Sequence, residues 1–193
     1  MKMLPVTLLL IFLTAISCKT NNRKANATLP TADTGKFYPI ADFFRSQIQY
    51  VDLRNYTLYK ITIKDGKKDS SGLNKDQFIA LAKIFLDRDI SSPKIRILYR
   101  ETVFHDLSTR SYTLNYSPID HNAVVQNIDV LLDEETNQIK RVFIRSVYTR
   151  ADTGFTEQCS WKAFKSFRIN RSMQSKNGKQ STEFNYINWN DKP

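Results

Sequence analysis

From Ser92 to the C-terminus the chain alternates apolar and polar residues with a period of two, and this constrains its fold more than any other feature. Alternation places successive side chains on opposite sides of an extended strand, so a series of such runs specifies a sheet with one buried face. Strands are expected at about 94–105, 109–116, 127–132, 138–149, 155–169 and 182–189. Asp133 to Asn137 is a short turn-forming stretch in which Asn137 suits the left-handed conformation. Short successive connections of this kind imply an antiparallel meander.

Two helices precede the meander. The first begins near Pro39, a residue suited to a first helical turn, and carries Ile40, Phe43, Phe44, Ile48 and Val51 at helical spacing. A strand at 55–64 follows, ended by Asp65-Gly66. In the second helix Asn74 is the cap and Gln77 stands three residues on, with Leu73 and Phe78 placed as a hydrophobic staple. Phe78, Leu81, Ala82 and Phe85 then form one stripe. Both helices need a sheet to cover. An aromatic content of 12% with 41% hydrophobic residues supports a folded, sheet-rich body. The expectation is an α+β domain in which two helices pack on one face of a strongly bent antiparallel sheet of six to eight strands. By analogy with lipid-carrying half-barrels, such a sheet closes partly around a cavity.

The N-terminus supplies an address. Lys2 gives one positive charge, Leu4 to Ile16 is almost wholly apolar, and small residues at Ala15 and Ser17 lead into Cys18. This is the layout of an export signal. As a helix its thirteen residues reach about 20 Å, short of the ~30 Å hydrocarbon core, so the segment is expected to be removed rather than to span. Ala15-Ile16-Ser17-Cys18 resembles the lipobox of bacterial lipoproteins, although Ala15 stands where Leu is commonest. The resemblance implies that Cys18 becomes the acylated first residue of the mature protein, held in a membrane by more than one acyl chain. An ordinary secretory signal with a free Cys18 thiol is the alternative.

Residues 1–17 are thus read as signal peptide, 18–35 as acylated Cys and flexible tether, and 36–193 as one globular domain. Cleavage leaves 176 of the 193 residues, enough for one proper core. The tether is polar and without periodicity; as a random coil it spans roughly 20 to 25 Å. The net charge of +10 falls to +9 with the loss of Lys2, leaving 28 basic against 19 acidic residues. A basic surface favours anionic partners, and for an exported lipoprotein these are envelope phosphates and carboxylates rather than nucleic acid. With Cys18 acylated, Cys159 has no cysteine to pair with. It shares a strand face with Trp161 and is expected to be a small buried hydrophobe.

Three stretches carry a further resemblance: Asp42-Phe43-Phe44-Arg45-Ser46-Gln47-Ile48, the run from Tyr59 to Lys68, and the run from Phe85 to Pro93. In them the chain, from about Phe37 onward, resembles uncharacterised lipoproteins of Bacteroidota. It departs from them at Gln47, where Glu is usual, and at Ser91-Ser92, where Asn-Lys is commoner. The resemblance brings an address and a general shape, with no activity attached. By the same likeness, Lys19 in place of an inner-membrane-retaining Asp points to the outer membrane, and the lack of an acidic run after Cys18 points to its periplasmic side.

Signals for catalysis are sparse. His105 and His121 each adjoin an Asp, but adjacent strand residues point to opposite faces, so neither pair forms a base with its orienter. Glu101 and His105 share a face yet lie about 13 Å apart, too far to hold one metal unless another strand contributes. No phosphate-cradling glycine loop, nucleophile elbow or metal-binding helix motif occurs, so neither catalytic nor metal-binding residues nor a cofactor are assigned. Trp161 to Gln180 contains basic residues and no acidic ones. Its Lys162, Arg168, Lys176 and Lys179 are the candidates for contact with anionic lipid or glycan; a solvated outer face is the plainer reading. The expected function is a non-enzymatic, membrane-anchored envelope module that binds a partner protein or an anionic amphiphile. The alternative is a periplasmic hydrolase. An apolar pocket with few polar groups would favour the first, and His105 or His121 beside a carboxylate in one cleft the second.

Overall fold

The structure, a computed structural model, describes residues 37–191; the expected signal peptide, Cys18 and the expected tether lie outside the described residues. Chain order is α1 (Ile40–Asp52), β1 (Leu58–Lys64), β2 (Lys67–Leu73), α2 (Lys75–Leu86), the short α3 (Pro93–Arg96), then β3 (Tyr99–Asp106), β4 (Ser111–Pro118), β5 (Val125–Asp133), β6 (Ile139–Arg150), β7 (Thr153–Lys162), β8 (Ser166–Ser175) and β9 (Gln180–Asn188). All nine strands form one antiparallel sheet in the order β2-β1-β9-β8-β7-β6-β5-β4-β3. β2 and β3 are its two edges, so the sheet is open and does not close into a barrel.

The α+β class and the meander are as expected; the strand number is not. Nine strands replace the expected six to eight for two reasons. β2 (KKDSSGL) is exposed along almost its whole length and therefore has no apolar alternation to signal it. The run expected as a single strand at 155–169 is folded back on itself, with β7 and β8 paired around a turn at Ala163-Phe164-Lys165. That turn contains no Gly, Pro or Asn. Phe164 takes the left-handed conformation (φ 60), held by its N–H donating to Gln47 Oε1 at 2.7 Å and by its ring 4.9 Å from Tyr50. The segment expected to be strand from residue 94 instead begins as α3, with Pro93 in its first turn.

The helices pack on one face of the sheet because their aromatic stripes meet aromatic residues of β7 and β8. Trp161 and Phe167 are cross-strand partners with rings stacked at 4.8 Å. Phe44 of α1 and Phe85 of α2 lie 5.6 and 5.0 Å from the Trp161 ring, and Phe78 reaches Phe167 and Trp189. All but Trp189 of these side chains are essentially inaccessible to water. Burial of rings this large dominates the core energetics, at roughly 1.5–3 kcal/mol each. α2 opens with a complete capping box: Asn74 accepts from the Gln77 N–H, and the Gln77 side chain accepts from the Asn74 N–H. After α2 the chain crosses the helix-covered face and enters β3 at the opposite edge, a width of about 38 Å for eight inter-strand gaps.

Candidate functional site

The two helices touch the sheet with one side each and leave a groove between their outward sides. It is lined by Arg45, Ile48, Gln49 and Asp52 of α1 and by Ile79, Ala80, Lys83 and Leu86 of α2, and has a volume of about 490 Å³. Small-ligand sites occupy roughly 300–1,000 Å³, so the space suffices for one chain-like ligand. Its floor is apolar, with Ile79 37% exposed. Two cations stand at its rim: Arg45, which bonds Asp42 at 2.6 Å, and Lys83. At one end the Asp52 carbonyl accepts from Lys75 Nζ, which links the end of α1 to the start of α2.

The composition of α2 carries a signal for this groove. α2 (KDQFIALAKIFL) has eight apolar residues among its twelve, more than a single sheet-facing stripe uses. Phe78, Ala82 and Phe85 are buried, and Ile79 with Ala80 is the surplus that forms one wall of the groove. In α1, Ile48 is half-buried: it packs against the core as its spacing implies and also lines the groove, while the fully buried neighbour is Gln47, whose amide oxygen accepts from the Phe164 N–H.

A second constellation is built around Glu157 of β7, which is 1% exposed. Its carboxylate accepts from Arg88 Nη2 at 3.1 Å and Arg171 Nε at 2.6 Å, with the Tyr148 hydroxyl at 3.5 Å. The Arg88 guanidinium also lies 4.9 Å from the Tyr148 ring. Each carboxylate oxygen accepts from one guanidinium, so the buried charge is paired on both sides. The cluster clamps the segment after α2 to the sheet. On the same face, burial and then the Glu157 charge push the Cys159 thiol up to about 12, which makes it a poor nucleophile.

The histidines separate. His105, on β3, stacks on Tyr112 with centroids 4.3 Å apart and places Nε2 2.8 Å from Glu134 Oε1 in the β5–β6 turn. His121 lies in the β4–β5 connection, beside a small pocket with Arg100, Ser117 and Gln126. Among the described residues, no group of three His, Cys, Asp or Glu side chains gathers to hold a metal ion.

The four basic residues expected to contact anions do not converge. Lys162 and Arg168 lie on the outer face of the sheet: Lys162 bonds Asp191 at 2.6 Å, and Arg168 sits 5.3 Å from the Tyr186 ring centroid. Lys176 and Lys179 are in the β8–β9 turn, where Lys176 pairs with Asp152. Extended β8 separates the two pairs: from Arg168 to Lys176 it rises about 27 Å. Cys18 falls outside the described residues. Comparisons find no matching family model, no similar curated protein and no similar solved structure for this chain.

Proposed function

We propose that this protein is a lipid-anchored component of a bacterial envelope whose folded body binds an anionic amphiphile in the groove between α1 and α2. The observation that carries the reading is an apolar floor of Ile48, Ile79 and Leu86 bordered by Arg45 and Lys83. An acyl chain gains burial on such a floor, at ~0.8 kcal/mol per methylene, while the cations meet an acidic headgroup. The lipobox-like residues before Cys18 supply the anchor, and the tether lets the body reach ligands in the adjoining leaflet. Outer-membrane attachment on the periplasmic side completes the proposal. A bent sheet wrapped around its helices, a half-barrel filled by Phe44, Phe78 and Phe85, is the shape that goes with it.

The test is native mass spectrometry of a chain beginning at Thr31, purified from its own envelope. A copurifying acidic lipid, lost in Ile79→Asp and weakened in Lys83→Glu, is the expected result. A bare protein that also fails to bind anionic detergent micelles refutes the groove as a ligand seat. The hydrolase alternative draws on the His105–Glu134 pair, which joins a histidine to a carboxylate. It requires envelope ester or amide hydrolysis that is abolished in His105→Ala.

A further inference from the structure

The two edges of the sheet are unlike. β2 is blunted by Lys67 and Lys68, and its residues from Lys67 to Gly72 are exposed on both sides, a common protection against edge pairing. β3 carries no lysine or proline, and its surroundings are apolar: Phe104 is 65% and Leu107 75% exposed at one end, and Ile97 and Leu98 are 69% and 52% exposed at the other. Among the described residues no strand pairs with its outer side.

The backbone of β3 is ready to pair. The Ile119 N–H donates to the Leu98 carbonyl, in continuation of a register that sets Tyr99 opposite Pro118. Even-numbered residues of β3 therefore bond to β4, and the N–H and C=O groups of Tyr99, Glu101, Val103 and His105 point outward.

We propose that β3 pairs with β3 of a second copy of this chain, antiparallel and centred on Val103, to form one continuous sheet across a two-fold axis. In an isologous contact each pair occurs twice. This register sets Arg100 opposite the second copy's Asp106 on the outer face, and Glu101 opposite the second copy's His105 on the inner face. Within one chain Asp106 already accepts from Ser108 and Thr109 and His105 already bonds Glu134; the second copy adds a guanidinium counter-charge beside Asp106 and a second carboxylate beside His105. Phe104 comes opposite Thr102 and diagonal to its own copy, within aromatic reach. Leu107, in the turn that follows β3, comes to the end of the second copy's β3 where Ile97 and Leu98 are exposed, so apolar residues flanking the two ends of β3 approach one another. Centring on Thr102 instead would set Arg100 against Phe104 and Glu101 against Val103, with no charge satisfied; the side chains select the first register.

The test uses the full chain in its membrane. In Val103→Cys the two thiols meet across the axis with Cα atoms about 5.5 Å apart, within disulfide range. In Glu101→Cys they stand about 14 Å apart. Mild oxidation is expected to yield a disulfide dimer of the first variant and none of the second, with the unmodified chain as the baseline. Phe104→Lys changes an exposed residue and sets two ammonium groups beside each other and beside Arg100. It is expected to raise the dimer dissociation constant about tenfold or more in sedimentation of the detergent-solubilised chain, with an unchanged circular dichroism spectrum. A folded Val103→Cys chain that gives no dimer, cross-links only to other proteins, or cross-links no better than Glu101→Cys overturns the proposal. So does an unmodified chain that remains monomeric at every concentration.

Discussion

At the residue scale, the buried clamp and the buried thiol make the sharpest predictions. Glu157→Gln leaves Arg88 and Arg171 facing each other without their shared counter-charge. Since both guanidinia keep some solvent, the cost falls at the low side of a broken buried pair, about 3 kcal/mol, measurable as a lower urea midpoint. Cys159 should resist a disulfide reagent in the native state at pH 8 and react promptly once urea unfolds the chain; rapid native reaction would contradict its burial. Asp106 is held at about 2 by the Ser108 and Thr109 hydroxyls, and Asp133 at about 2 by Lys140 and Thr136. Each is depressed in the folded state, so the unfolded chain binds more protons below about pH 4. The stability these carboxylates contribute is complete above that value and is lost as pH falls toward 2. An acid titration followed by fluorescence should show this, with a smaller loss in Asp133→Asn. That Cys159 and Trp161 share the buried face was legible from their two-residue spacing. That Glu157 lies on the same face followed from the same spacing, but its burial did not, because the compensating Arg88 arrives from the segment after a distant helix.

At the element scale, what was readable is what is encoded locally. The α2 cap was legible in Asn74 and Gln77 because both partners lie within one turn; Asn74→Ala should cost about 1 kcal/mol in chemical denaturation. Asn137 is in the left-handed region (φ 54), as its turn-forming neighbours implied. The β7–β8 turn was not legible because its conformation is imposed from outside. Gln47, 117 residues earlier in the chain, supplies the acceptor for the Phe164 N–H. Gln47→Leu would leave that donor unsatisfied and should cost about 1–3 kcal/mol. A loss below measurement error would show that the turn holds itself. β2 carries no sequence signal for the opposite reason: an edge strand exposed on both faces is stabilised by pairing with β1 rather than by burial, and its polar composition reflects that.

At the scale of the whole molecule, the meander from β3 to β9 follows from short connections, whereas the pairing of β9 with β1 spans more than a hundred residues. No local pattern encodes that pairing. The groove is of the same kind: its two walls come from helices separated by the β1–β2 hairpin, and only the apolar surplus of α2 hinted at it. The basic residues of the 161–180 stretch show the converse. Lys162, Arg168, Lys176 and Lys179 are near one another in sequence, but extended β8 holds the two pairs toward its opposite ends, and Arg171 between them is taken up by Glu157. Binding and anchoring are linked in this account, because a body held at a bilayer meets amphiphiles at high local concentration. Its central claim is that a thioether-linked lipid on Cys18 holds the folded body at a membrane. The most direct test is metabolic labelling with palmitate, followed by fractionation of the unmodified and Cys18→Ala chains. The account predicts a labelled, membrane-bound wild type and an unlabelled variant that no longer reaches that membrane fraction; an unlabelled wild type, with the variant in the same fraction, would contradict it.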